Sequence, residues 1–166
     1  MKTCCFTGHR PKSLPWGDDE TDLRCAACKS KIKFTLENLI VGEGYDYFIS
    51  GMALGVDTIC AEIALSLKTL YPHIKLECAV PNRAFTESWS EENLRRFNCI
   101  LARADKVTYV SEGNKYSRRE LMLRNIYMVD RAETIVAVYT EGESGGTKNT
   151  VTYAKSKKKS IIIIEP

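Results

Sequence analysis

Three short clusters in this sequence combine glycine with groups able to hold an anion or a hydroxyl: Gly8-His9-Arg10, Ser50-Gly51 with Gly55 and Asp57, and Ser144-Gly145-Gly146-Thr147. The third fits a phosphate cradle best. Glycines let a backbone approach a ligand closely, a helix N-terminus supplies free N–H groups and partial positive charge, and Thr147 adds a hydroxyl. A simple turn with an N-cap would use the same residues, so the position of the cluster in the fold has to decide. Arg10 is able to grip a phosphate bidentately, and His9 to stack, to donate or to satisfy its turn. Asp57 is read as holding its own loop, because a first-turn carboxylate accepts from exposed backbone N–H groups.

Other chemistries lack their residues. There is no Ser-His-Asp or Cys-His arrangement and no H-x-x-x-H. His73 follows Pro72 in a connection and reads as solvated. The dinucleotide G-x-G-x-x-G and the phosphate loop G-x-x-x-x-G-K-[ST] are both absent, which argues against a nicotinamide dehydrogenase and a P-loop hydrolase. Of the seven cysteines, only Cys25 and Cys28 have suggestive spacing. One C-x-x-C without a second ligand pair is weak for zinc, so no metal and no functional disulfide is expected. Cys4, Cys5, Cys60, Cys78 and Cys99 lie in apolar stretches and read as small core residues.

The elements that must position these clusters follow from periodicity. Apolar runs at 2–6, 45–49, 75–80, 106–110, 134–139 and 160–164 read as strands. The last holds four consecutive isoleucines and reads as covered on both faces, as in a parallel sheet. Val56, Ile59, Cys60, Ile63, Ala64, Leu67 and Leu70 form one helical face. Ile32, Leu36, Leu39 and Ile40 give a shorter one that stops at Gly42 and Gly44. Ser90 and Ser117 open two more helices, the second through a Ser117–Glu120 capping box, and a fifth follows Thr147. Arg118, Arg119 and Arg124 form a basic set on the fourth helix.

Strand and helix alternate throughout. The expected fold is a Rossmann-like three-layer α/β/α domain spanning 1–166, with a parallel six-stranded sheet in the order 3-2-1-4-5-6. Ligands of such sheets bind beyond the carboxyl ends of the strands, at the switch point. That is where the glycine clusters fall, which favours the cradle over the plain turn.

Composition sets outer bounds. A chain of 166 residues, 44% apolar, can bury a core without staples. A net charge of +3 is too small to imply nonspecific nucleic-acid binding. No run of roughly 18 apolar residues is present, and the first apolar run is too short for a signal peptide. The expected location is the cytoplasm, with reduced thiols.

These residues resemble the SLOG superfamily, most nearly its YpsA-like family. Gly8-His9-Arg10-Pro11 follows the first strand as in that family. Ser50–Asp57 is similar to the Ser-Gly-x-Ala-x-Gly-x-Asp signature shared with DprA, Arg124-Asn125 falls at an Arg-Asn pair of that protein, and Ser144–Thr147 resembles the superfamily's phosphate loop. The resemblance covers nearly the whole chain and implies a Rossmann-like fold and a nucleotide-like ligand. Related LOG phosphoribohydrolases carry a glutamate three residues after the loop threonine, where this chain has Thr150.

The expected function is binding of a nucleotide or nucleotide-derived small molecule for sensing or regulation. The site would be built from Gly8, His9, Arg10, Ser50, Gly51, Asn82, Ser111, Arg124, Ser144, Gly145, Gly146 and Thr147. No metal and no certain cofactor is implied. The alternatives are an N-glycosidase acting on a nucleoside monophosphate and single-stranded nucleic-acid binding, for which Trp89 and Tyr116 are isolated stacking candidates. A homodimer is expected, through some of Leu121, Ile126, Tyr127, Met128 and Val129, which offer more apolar surface than one sheet face needs.

Overall fold

The computed structural model describes residues 1–142 and 144–166; Glu143, which borders the third glycine cluster, lies outside the described residues. Six strands alternate with five helices: β1 (Thr3–Gly8), α1 (Leu23–Glu43), β2 (Tyr47–Ser50), α2 (Val56–Leu67), β3 (Lys75–Val80), α3 (Glu91–Arg103), β4 (Lys106–Tyr109), α4 (Arg118–Arg131), β5 (Thr134–Val138), α5 (Gly146–Ser156) and β6 (Ser160–Ile164). Short 3-10 turns at Pro11–Ser13 and Arg83–Thr86 interrupt two of the connections.

Each strand pair is parallel. Alternate residues therefore go to opposite layers. Phe6, Phe48, Leu76, Cys78, Val136 and Val138 pack with α1, α2 and α3. Cys5, Ile49, Ala79 and Ile135 pack with Met128 and Val129 of α4 and Ala154 of α5. Phe6 and Phe48 stack with ring centroids 6.0 Å apart, and each fully buried ring stabilises the fold by about 1.5–3 kcal/mol.

The strand order is β4-β3-β2-β1-β5-β6. The three-layer parallel architecture is as expected, but the fourth strand corrects the expected order. It extends the first half of the sheet outward from β3 instead of starting the second half beside β1. Burial gives the reason. Thr134–Val138 is buried at every position and takes the centre beside β1. Lys106–Tyr109 is mostly exposed and suits an edge, where a lysine is tolerated. The topological switch point thus lies between β1 and β5. The isoleucine run is corrected too. Strand β6 is the opposite edge, Ile163 is exposed, and only Ile164 is fully buried.

Two helices differ from their sequence patterns. Helix α1 starts at Leu23, capped by Asp22 accepting from the Arg24 N–H, and ends on Gly44 at φ 72°. Its buried face includes Cys25 and Cys28, one turn apart with free thiols. Among the described residues no cluster of potential metal ligands is present, and no helix is long and apolar enough to cross a membrane. On α3, Phe97 and Ile100 face inward. Cys99 is therefore turned outward and exposed, not in the core as expected.

Candidate functional site

Gly8 ends β1 and tolerates no side chain: a Cβ there would lie 2.5 Å from the Cβ of Val56 and 2.7 Å from the Val138 carbonyl. That close approach seats the start of α2 against β1 and β5. His9 follows, buried. Its backbone N–H donates to the Val138 carbonyl at 3.1 Å, its carbonyl accepts from the Val56 N–H at 3.2 Å, and its Nε2 accepts from the Thr140 N–H at 3.1 Å. The residue thus ties together the loops after β1, β2 and β5. Gly55, at φ 93°, brings its backbone so near that a Cβ would sit 2.6 Å from the His9 carbonyl.

The loop after β2 is held from within. The Ser50 hydroxyl donates to the Asp57 carbonyl at 2.8 Å and accepts from the Met52 N–H at 3.1 Å. The Asp57 carboxylate accepts weakly from the Ala53 N–H at 3.4 Å. Arg124 reaches in from α4, donating from Nη1 to the Gly51 carbonyl and to Asp57 Oδ2, the latter at 3.3 Å. A Cβ on Gly51 would collide with that guanidinium. Asp57 and Arg124 are 5% and 3% exposed. Burial pushes the Asp57 carboxyl up from its ordinary value against the pull of Arg124 and Arg10, and pushes Arg124 down against the pull of Asp57. The Nε of Arg124 is buried without a partner among the described residues.

A second cluster sits at the ends of β3 and β4. Asn82 is buried; its Oδ1 caps the 3-10 turn by accepting from the Ala84 N–H at 3.1 Å, and its Nδ2 donates to the Lys115 carbonyl at 2.9 Å. Glu120 lies within 3.5 Å of the same Nδ2. The Ser111 hydroxyl accepts from the Gly113 N–H at 2.9 Å. Only half of the expected capping box forms: Ser117 accepts from the Glu120 N–H at 3.2 Å, while the carboxylate turns toward Asn82.

The third cluster is open. Ser144, Gly145 and Gly146 are exposed, and Thr147 is buried at the start of α5. Gly145, at φ 136°, precedes the helix and offers no side-chain cap. A Cβ on Gly145 or Gly146 would meet nothing within 4 Å. Three helices begin on a side-chain cap, from Asp22, Ser90 and Ser117, whereas α2 and α5 begin on glycine without one. The first turn of α2 is already engaged by the His9 carbonyl. For the N–H groups of Gly146 and Thr147, no acceptor is found among the described residues.

The structure thus distributes the expected residues between two tasks. Ser50, Gly51, Asn82, Ser111 and Arg124 have their polar groups, or the space around them, occupied by the chain itself. Ser144, Gly145 and Gly146 remain exposed, and Arg10 is half-buried with no side-chain hydrogen bond or ion pair among the described residues. Arg124 leaves the basic set predicted for α4, since only Arg118 and Arg119 of that set are exposed. Of the apolar residues expected to offer a dimer surface on α4, Met128 and Val129 are packed in the core, while Leu121, Ile126 and Tyr127 stay partly exposed. A cleft of about 290 Å3 lies beside Pro11 and Gly55, and of the three glycine clusters only Gly55 lines it.

Sequence reasoning missed Glu77. This carboxylate is buried in mid-strand and accepts from Thr108 and Tyr127 at 2.6 Å and from Tyr47 at 2.7 Å, with Lys106 at 3.3 Å. A charged residue inside an otherwise apolar strand was the available signal.

Comparison with known proteins identifies the family of the chain. A family model described as the YspA SLOG family, YpsA, matches residues 4–165. The chain belongs to the YpsA SLOG family. A UPF0398 protein of Bacillus cereus (strain G9842) is 29% identical over 157 residues, covering 95% of this chain and 84% of that one. A UPF0398 protein of Bacillus thuringiensis (strain Al Hakam) is 28% identical over 158 residues, with the same coverage. Among solved structures, S. aureus TarJ in complex with NADPH matches 82% of this chain and 43% of its own, at 14% identity and a TM-score of 0.44.

Proposed function

We propose that this YpsA-family chain binds a nucleotide or nucleotide-derived small molecule at the carboxyl edge of its sheet, with a phosphate on the first turn of α5. The observation that carries this reading is the uncapped glycine start of α5 beside the β1–β5 switch point. Free N–H groups and the helix dipole favour an anion there, and no side chain stands in the way. Arg10 is assigned the positive charge of the site: its charge is felt at Asp57 and Arg124, and it makes no ion pair among the described residues. Family membership supports a nucleotide-like ligand in the same coarse sense. Thr150 turns its hydroxyl back on the Gly146 carbonyl at 2.9 Å, so α5 offers no carboxylate at that position for sugar hydrolysis, and binding for sensing or regulation is the reading advanced. The proposed setting is cytoplasmic. A homodimer through α4 would have to use its outer residues, with Leu121 and Ile126 still partly exposed; light scattering reads the mass.

The test is calorimetry against a panel of nucleoside mono-, di- and triphosphates, preceded by native mass spectrometry of fresh protein for a co-purified nucleotide. Gly146→Asp places a like charge where the phosphate would sit and is expected to weaken the best ligand about 100-fold or more. Arg10→Ala is expected to cost roughly 1.5–3 kcal/mol. Unchanged affinity in Gly146→Asp would reduce the loop to a turn.

A further inference from the structure

We propose that the outer edge of β6 is where a second copy of this chain docks, the two strands pairing antiparallel about a two-fold axis at Ile162 so that the two sheets become one. The inference does not rest on the phosphate reading of α5, and it places the contact away from α4.

The edge lacks the usual protections. Strand β6 ends the sheet, runs in unbroken register along β5 from Ser160 to Ile164, and holds no proline, charge or bulge. Exposed strand edges are normally blunted by one of these, because their free N–H and C=O groups template pairing with another chain. The opposite edge, β4, carries Lys106. The bonds to β5 fix which groups of β6 are free. Ser160 donates to the Glu133 carbonyl, and the Ile164 carbonyl accepts from the Tyr139 N–H. Even-numbered residues therefore face β5, and the N–H and C=O groups of Ile161 and Ile163 point outward. Ile163 is 38% exposed, and Ile161 and Ile162 are only partly buried.

An apolar edge alone does not say what covers it, but the charges at its two ends do. Lys157, Lys158 and Lys159 lead into the strand, the first two exposed. Glu165 follows it, also exposed, and its carboxylate accepts from the Glu141 N–H at 3.4 Å. Lys159 and Glu165 form no ion pair among the described residues; the Lys159 ammonium reaches only the Asp130 carbonyl, at 3.5 Å. The edge is thus basic at its start and acidic at its end. A second copy laid parallel would set like charge on like. Laid antiparallel about Ile162, it sets Lys159 opposite the partner's Glu165, and Ile161 opposite the partner's Ile163. Outward-facing residues then oppose outward-facing residues, and each such pair exchanges both of its backbone hydrogen bonds. Opposite charges facing each other across strands add to this. The same surface serves both copies, so the contact closes as a dimer and does not propagate. A foreign strand would have to match this polarity, whereas the chain supplies it itself.

The experiment is sedimentation velocity of the full chain over roughly 1–100 μM, a range that reads micromolar affinities. A particle of twice the chain mass is expected. Ile163→Pro removes an outward N–H and leaves the β5 ladder intact, as proline does on an edge strand; it is expected to weaken the dimer at least about tenfold. Lys159→Glu and Glu165→Lys, each alone, set like charges opposite one another at both ends and are expected to weaken it comparably. The two combined in one chain are expected to restore the wild-type affinity. Circular dichroism checks the fold of each variant, and the charge exchange decides alone if Ile163→Pro does not fold. A monomer throughout the range, open aggregates in place of a dimer, or a double exchange no tighter than its single variants would overturn the proposal. So would a dimer that Leu121→Lys on α4 abolishes and a folded Ile163→Pro leaves intact.

Discussion

Arg124 on α4 and Asp57 on the first turn of α2 meet at 3.3 Å, both almost wholly buried, and the same guanidinium grips the Gly51 carbonyl. One side chain thereby fixes the loop after β2 to the opposite layer of the fold. Each charge is tolerated in the interior because the other stands beside it. Breaking such a pair by removing one partner typically costs about 3–5 kcal/mol, since a lone buried charge remains. Arg124→Met is expected to destabilise the protein by that amount in urea unfolding. Combining it with Asp57→Leu is expected to recover a large part of the loss. Additive losses in the double mutant would show that the pair does not act as a unit.

The glycines of the two loops are expected to respond in opposite ways. At Gly51 a methyl group collides with the Arg124 guanidinium, while at Gly146 it meets nothing within 4 Å. Gly51→Ala should destabilise by roughly 1–3 kcal/mol, the usual cost of overpacking. Gly146→Ala, at an ordinary φ in the first turn of a helix, should leave stability unchanged or raise it by about 0.4–1 kcal/mol. Thermal melts of the two variants side by side decide the matter, and equal losses would contradict the geometry.

The sequence exposes the strands because Val, Ile, Phe and Cys recur in short buried runs, and it exposes α2 because its apolar spacing is regular. Strand order is harder to read, since neighbours are chosen by how much surface each run can leave exposed. Lys106-Val107-Thr108-Tyr109 carries polar residues that mark an edge, but Ile161–164 carries none and is an edge as well. The site divides along a similar line. Glycine loops are visible because backbone conformation restricts residue type locally. The partners of Arg124, Ser50 and Asn82 are not: Arg124 meets Gly51 across 73 positions of sequence, and nothing in an arginine's type says whether it will face a ligand or a buried aspartate.

Thiol chemistry follows from the placement of the cysteines. Six are buried and Cys99 is exposed. Burial raises the Cys28 thiol to about 11 and keeps those of Cys4, Cys60 and Cys78 above their ordinary value. Thiolate is the reactive form. A disulfide-exchange reagent is therefore expected to modify one equivalent quickly in native protein, lost in Cys99→Ser, and the remainder only on unfolding. Serine at both Cys25 and Cys28 should destabilise by roughly 1–3 kcal/mol for each buried hydroxyl left without a partner. Unaltered melting in that double variant would show that their interior places are not tightly packed.

Glu77 supplies a pH dependence whose sign can be worked out. Burial alone would raise its carboxyl, but hydrogen bonds from Thr108, Tyr127 and Tyr47 and the charge of Lys106 outweigh burial and hold it below its ordinary value of 4.5. A folded-state value below the unfolded one means that the unfolded chain binds the proton more readily. The stability Glu77 contributes is then fully present above about pH 4.5 and is lost as pH falls through the lowered folded-state value. Glu77→Gln keeps the shape but carries no charge and cannot titrate. It is expected to be less stable than wild type at pH 7 by roughly 1.5–3 kcal/mol, the range for hydrogen bonds to a charged group. As pH drops below 4.5, the wild-type carboxylate gains its proton and the two stability curves should draw together. Urea midpoints measured from pH 7 down to pH 3 read that gap directly. A gap that stays constant over the whole range would mean that Glu77 is not ionised in the folded protein at neutral pH, and that the three hydroxyls surround a neutral acid.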